Sequence, residues 1–142
     1  MKKILVAITF LFGISNCSVA QKNKTTGNIE VPSTVKEAFI KKYPETKNVH
    51  WQRRDDDYEA QWKKGNSVVF TPSGKFIEET VAMPVDQLPE AARRYINMTY
   101  NSAITGAGKV TDLHEKTSYV AYLNGAALVF DKNGRFIKAA KK

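Results

Sequence analysis

From Val31 onward the apolar positions follow two periods that alternate along the chain. Val35, Ala38, Phe39 and Tyr43 recur at three- and four-residue steps, as do Leu88, Ala91, Ala92, Tyr95, Ile96 and Tyr100, so each set predicts one helix with one apolar stripe. Pro32 and Pro89 suit the first helical turn, where a missing N–H costs no hydrogen bond. Pro44 stops the first helix, and Asn101 with Ser102 ends the second. After each helix the period falls to two. Val49 and Trp51 alternate with polar neighbours, then Tyr58, Ala60 and Trp62, then Val68 and Phe70, which predicts strands with one buried face. Turn residues separate them at Asp55-Asp56-Asp57, Gly65-Asn66 and Pro72-Ser73-Gly74, and in the second half around Thr117, at Asn124-Gly125 and at Asn133-Gly134.

The two halves repeat one another. Laying Val31–Ile77 over Leu88–Ile137 pairs Pro32 with Pro89 and Tyr43 with Tyr100 at a spacing of 57. After a gap of three the spacing is 60, and Gly65, Val69, Phe70, Gly74, Phe76 and Ile77 fall on Gly125, Val129, Phe130, Gly134, Phe136 and Ile137. Ala60 then pairs with Val120, Trp62 with Tyr122, Val68 with Leu128 and Lys75 with Arg135. The predicted domain covers 31–142, with copy one at 31–81 and copy two at 86–139. Each copy is one helix followed by four short antiparallel strands. The fold class is α+β: two tandem helix-plus-four-strand repeats forming one antiparallel sheet of about eight strands, with both helices on one face. A unit of about fifty residues buries little surface alone, so the copies are expected to share a core.

The first twenty residues follow another pattern. Lys2 and Lys3 precede an apolar stretch from Ile4 to Ile14, and small and polar residues end in Ser18-Val19-Ala20. This is the order of a secretory signal peptide (1–20), and the apolar part is too short to span a bilayer. Small residues at Ser18 and Ala20 favour cleavage after Ala20. An alternative reading ends the signal at Cys17, the sole cysteine, and lipidates it, but Asn16 stands where lipoprotein signals carry a small residue. Residues 21–30 begin with the polar run QKNKTTGN and form a leader to the domain. The expected location is periplasmic or secreted, with membrane attachment only if Cys17 is lipidated. Cleavage removes Lys2 and Lys3, lowering the formal charge from +8 to +6 and leaving no cysteine for a disulfide.

No linear motif announces catalysis, and the chain is read as a non-enzyme without cofactor or metal. Asp55, Asp56, Asp57 and Glu59 lack the glycine-bearing turn of a calcium loop, and Asp131-Lys132-Asn133-Gly134 corresponds to Thr71-Pro72-Ser73-Gly74, which keeps the turn and loses the ligands. His50 and His114 have neither a cysteine partner nor a metal-binding spacing. Scattered positive charge, export and the absence of an RNP-like motif exclude nucleic acid as partner.

The run Val31-Pro32-Ser33-Thr34-Val35-Lys36-Glu37-Ala38-Phe39, with Lys41-Lys42-Tyr43-Pro44, Trp51, Tyr58-Glu59-Ala60 and Phe70-Thr71-Pro72-Ser73-Gly74-Lys75, resembles the PepSY-like, β-lactamase-inhibitor-like domains of bacterial exported proteins. The likeness spans roughly Val31–Ala139, and copy two is the more diverged. It implies the same helix-plus-four-strand repeat and, for the namesake inhibitors, docking of a target enzyme on an open concave sheet face. Those inhibitors hold a disulfide in each half, which the processed chain lacks.

The expected partner is an exported or envelope protein or peptide on the open sheet face, including an enzyme it would inhibit. The alternative is a small molecule or lipid held in a cavity between helices and sheet. Trp51, Tyr58, Trp62 and Tyr122 are expected beneath the helices, as are Val120, Leu128 and Phe130. Alternation then puts Glu59, Gln61, Lys63, Val69 and Ile77 from copy one on the open face with Tyr119, Ala121, Leu123, Val129 and Ile137 from copy two. Of these, Tyr119, Leu123, Val129, Ile137, Val69 and Ile77 are the candidate binding residues.

Overall fold

Helix α1 (Ser33–Lys42) opens a chain whose structure, a computed structural model, describes residues 29–141. The expected signal peptide, both processing points and the leader up to Asn28 lie outside the described residues. Strands β1 (His50–Arg54), β2 (Asp57–Trp62), β3 (Asn66–Phe70) and β4 (Phe76–Met83) follow. A 3₁₀ turn (Val85–Gln87) leads into α2 (Glu90–Tyr100), then β5 (Gly106–Asp112), β6 (Thr117–Leu123), β7 (Ala126–Asp131) and β8 (Phe136–Lys141). All eight strands form one curled antiparallel sheet in sequential order.

The helix ends have local causes. Pro32 and Pro89 stand one residue before the first helical turn rather than in it, both extended (ψ 145° and 135°). The Pro32 carbonyl accepts from the Val35 and Lys36 amides at 3.1 Å each, so the caps run through backbone oxygens without a side-chain acceptor. Pro44 forbids a helical conformation at Tyr43, and Lys41 and Lys42 place positive charge on the negative end of α1. Asn101 ends α2 in the left-handed region at φ 43°.

The copies do not share a core. Val31, Val35, Phe39, Tyr58, Ala60, Val68 and Phe70 form one cluster under α1, joined by Trp51 and Trp62. Leu88, Ala92, Ile96, Ala107, Ala121, Leu123, Leu128 and Phe130 form another under α2. Between them the helix-side positions of β4 and β5 are Glu79 opposite Thr111 and Val81 opposite Lys109, and Val81 is 50% exposed. Charged residues at these positions resist burial, so the sheet ladder joins the copies and the apolar layer does not.

Register overturns part of the expected face assignment. In copy one Tyr58 lies opposite Phe70 and Ala60 opposite Val68; in copy two Tyr119 lies opposite Phe130 and Ala121 opposite Leu128. The second strands of the copies therefore correspond at a spacing of 61, whereas the third strands keep 60. The connection after Trp62 has three residues, Lys63-Lys64-Gly65, and the one after Leu123 has two, Asn124-Gly125. A one-residue slip exchanges the faces of a whole strand. Tyr119, Ala121 and Leu123 consequently pack beneath α2, while Val120 and Tyr122 point to the side without helices. Ile77 and Ile137 fall outside the alternation as well. The pairings pass from Phe70 with Phe76 to Val69 with Glu78, and from Phe130 with Phe136 to Val129 with Lys138, leaving each isoleucine as the extra residue of a β-bulge.

Two turns carry matching carboxylate caps. Asp112 Oδ1 accepts from the His114 and Lys116 amides, and Asp131 Oδ1 from those of Asn133 and Arg135, all at 2.8–2.9 Å. These backbone bonds hold both acids below the usual aspartate range. A depressed folded-state pKa contributes stability that is present above the unfolded value, about 3.9, and lost as pH falls through the folded value. Asp112→Asn with Asp131→Asn keeps an acceptor oxygen and removes the proton. Urea denaturation at neutral and strongly acid pH should show a smaller acid loss in this double variant than in the parent.

Candidate functional site: the concave sheet face

The sheet side away from the helices is assembled from alternate residues of all eight strands. One row across it reads Gln52, Glu59, Val69, Glu78 and Asp112; another reads Ala82, Gly108, Val120, Val129 and Lys138. Arg54 and Asp57 lie at one end, Gly106, Tyr122 and Ala127 at the other. No helix of the described residues covers this side. Even so Val69 is 3% exposed, Val120 6% and Glu59 9%.

Curvature accounts for that burial. Arg54 on β1 forms an ion pair with Glu78 on β4, across two intervening strands. At about 4.8 Å per strand a flat sheet would separate those backbones by roughly 14 Å, so β1 must curl toward β4 over the face. Tyr122 on β6 also feels the charges of Glu59, Arg54 and Glu78 from copy one. On β5, Gly106 and Gly108 leave the concave side without side chains. Thr80 Cγ2 and Val120 Cγ1 close over Gly108, to within 2.7 and 3.2 Å of where a Cβ would stand.

The result is an apolar floor from both copies beneath a polar network of copy one. Gln52 donates its amide to the Glu59 carboxylate, and Glu78 holds Arg54. Burial, the Glu59 carboxylate and, more weakly, Glu78 push the Tyr122 phenol above its ordinary pKa, with Arg54 opposing. Tyr122 therefore stays neutral well beyond neutral pH.

Of the six candidate binding residues, Val69 and Val129 lie on this face, and Ile77 and Ile137 sit in the bulges. Tyr119 and Leu123 lie on the opposite, helix-covered side. Trp51, Tyr58 and Trp62 pack beneath α1 as expected, with Phe39 5.4 Å from the Trp51 ring and 5.6 Å from that of Trp62. The sequence reading missed Arg54, Gln52, Glu78, Val120 and Tyr122 as parts of one site. The legible signal was the Gly106-x-Gly108 pair inside a strand, since glycine there marks a close approach of neighbouring groups. Elsewhere, Glu45, Thr46, Lys47, Asn48, Trp62 and Lys63 line a cleft of about 470 Å³. Among the described residues no group of His, Cys, Asp and Glu is arranged to hold a metal ion, and no helix is long and apolar enough to cross a membrane.

No curated protein matches the sequence. Solved structures do share the fold. A protein of Bacteroides eggerthii described as "putative periplasmic" superposes with a TM-score of 0.63 at 16% identity, over 80% of this chain and 90% of that one. A DUF2874 family protein from Bacteroides uniformis gives 0.62 at 16% identity, over 79% and 90% of the two chains. A BLIP-like protein from Bacteroides fragilis gives 0.55 at 17%, over 82% and 89%. The family profile described as "putative beta-lactamase-inhibitor-like, PepSY-like" matches twice, at residues 18–78 and 64–138, the second match beginning within copy one and running through copy two. The chain thus belongs to the PepSY-like, β-lactamase-inhibitor-like family, and its two helix-plus-four-strand units are two copies of that family's module.

Proposed function

We propose that this protein is an exported, non-enzymatic binding module that receives a protein or peptide partner on its concave sheet face. The observation that carries this reading is the face itself: no helix of the described residues covers it, and around the buried Val69, Val120 and Glu59 it presents Val129, Tyr122, Glu78 and Arg54 at its surface. A broad face of apolar centre and polar rim has the anatomy of a protein interface. Export draws its support from the basic-apolar-small order of residues 1–20 and from fold relatives described as periplasmic. The small-molecule alternative has weaker support. The layers between helices and sheet are filled by the two clusters, and the one cleft described has Trp62 as its sole large apolar wall.

Paired variants test the reading. Tyr122→Ala with Val129→Ser alters the concave floor, while Ile40→Ser with Met98→Ser alters helix residues that are 61% and 81% exposed. Capture of envelope proteins on the immobilised protein should fall about tenfold or more with the concave pair, as for truncated interface anchors, and stay unchanged with the helix pair. Capture lost only with the helix pair would place the partner on the other side and end the reading.

A further inference from the structure

We infer that the free edge of β8 takes up an extended acidic segment of a partner protein as a further strand of the sheet. This goes beyond the docking reading above: it concerns another surface and uses backbone groups that the concave face does not offer.

β8 pairs with β7 alone and ends the sheet, so alternate residues of Phe136–Lys141 turn their N–H and C=O groups away from the ladder. Among the described residues no backbone hydrogen bond from another segment fills that side. The strand is also reachable: Phe136 is 37% exposed and Ile137 50%, and Lys138, Ala139 and Ala140 are exposed. The opposite edge strand, β1, is less so. Its Trp51 and Gln52 are half-buried, and its Arg53 and Arg54 are held by Tyr58 and Glu78.

Charge selects the occupant. Lys132 and Arg135 stand in the turn before β8 and Lys138 within the strand, and among the described residues none of the three forms an ion pair. Asp131 beside them is turned to the Asn133 and Arg135 amides. Two copies of this edge laid antiparallel would bring the cations together, so lysine and the bulge at Ile137 guard it against a second copy. The same charges attract an acidic strand. Phe136 and Ala139 lie opposite Phe130 and Leu128 and so stand on the helix side, whereas Lys138 lies opposite Val129 on the concave side. An incoming strand that alternates apolar residues with aspartate or glutamate would set the first along Phe136 and Ala139 and the second along Lys138, while its backbone fills the open groups.

The test titrates a short synthetic peptide in which valine alternates with glutamate into the purified protein, beside a valine–lysine counterpart and a glutamate peptide N-methylated throughout. In ¹⁵N–¹H NMR the glutamate peptide should shift the amides of Phe136–Ala140 and slow hydrogen exchange at the outward-facing ones about tenfold or more. Its affinity should fall as salt rises. The lysine peptide should bind about tenfold more weakly, and Arg135→Glu with Lys138→Glu should reverse that preference. Lys36→Glu with Lys41→Glu, on α1, should leave it unchanged. The N-methylated peptide, which has no N–H to donate, should not bind. Equal binding of the glutamate and lysine peptides, binding that survives N-methylation, shifts confined to β1, the helices or the concave face, or no binding at all would overturn the inference. Shifts at β8 that grow with protein concentration alone, without peptide, would make a second copy the occupant and also overturn it.

Discussion

Replacing Phe130 by alanine should cost about 3–5 kcal/mol, the usual range for emptying a fully buried aromatic site. Phe130 is 0% exposed, lies under α2, and meets Tyr95 at 5.9 Å and Phe136 at 6.0 Å between ring centroids. Phe70→Ala should cost a similar amount in the other cluster, where Phe70 is 2% exposed and meets Phe76 at 6.4 Å. Val120→Ala, on the concave face, should cost only about 1–2 kcal/mol, because a smaller side chain is removed from a site that no helix seals. Urea denaturation monitored by tryptophan fluorescence and far-ultraviolet circular dichroism measures all three. If Val120→Ala proved as costly as Phe130→Ala, Val120 would belong to the helix-side core after all, and the one-residue offset between the copies would be wrong.

Gly74→Val and Gly134→Val should each cost about 2–5 kcal/mol, from left-handed backbone strain added to a steric clash. Both glycines turn the chain between the third and fourth strands of their copies at φ +81°, and both lie against the start of a helix. A Cβ on Gly74 would stand 2.6 Å from the Thr34 carbonyl oxygen; one on Gly134 would stand 2.8 Å from Pro89 Cβ and 2.9 Å from the Ala92 nitrogen. Gly125 separates the two causes. It has φ +82° with nothing within 4 Å of its would-be Cβ, so Gly125→Val carries the strain alone, about 1–2 kcal/mol. Thermal denaturation of the three variants should rank Gly125→Val as the mildest. Equal losses at all three would mean that contact between turn and helix contributes nothing.

The elements were legible because their causes are local. A 3.6-residue stripe between a proline and a stop signal predicts α1 and α2, and alternation between turn residues predicts the strands. The duplication was legible because each copy reuses the same glycines where a tight turn needs positive φ: Gly65 with Gly125, and Gly74 with Gly134. Spacing near Thr117 was misread. The β5–β6 turn lies at Leu113–Lys116, with Glu115 at φ 59°, because Asp112 caps it and glycine is absent.

The faces were decided by tertiary structure. Period two groups Tyr119 with Leu123 and Val120 with Tyr122, but which group α2 covers depends on the two-residue Asn124-Gly125 turn that ties β6 to β7. Apart from that turn, the glycine alignment at 60 hides the missing residue. The concave site depended on contacts more distant still. Arg54, Glu78 and Tyr122 carry no shared motif and belong to strands one, four and six; only the curl of the sheet brings them into one electrostatic neighbourhood. The amino-acid sequence by itself determined the helices, the strands, their order and the repeat, because propensity, capping and turn chemistry act over a few residues. The curl of the sheet, the division into two cores and the identity of the open face were decided by the tertiary structure, where packing across strands sums forces that no short window of sequence contains.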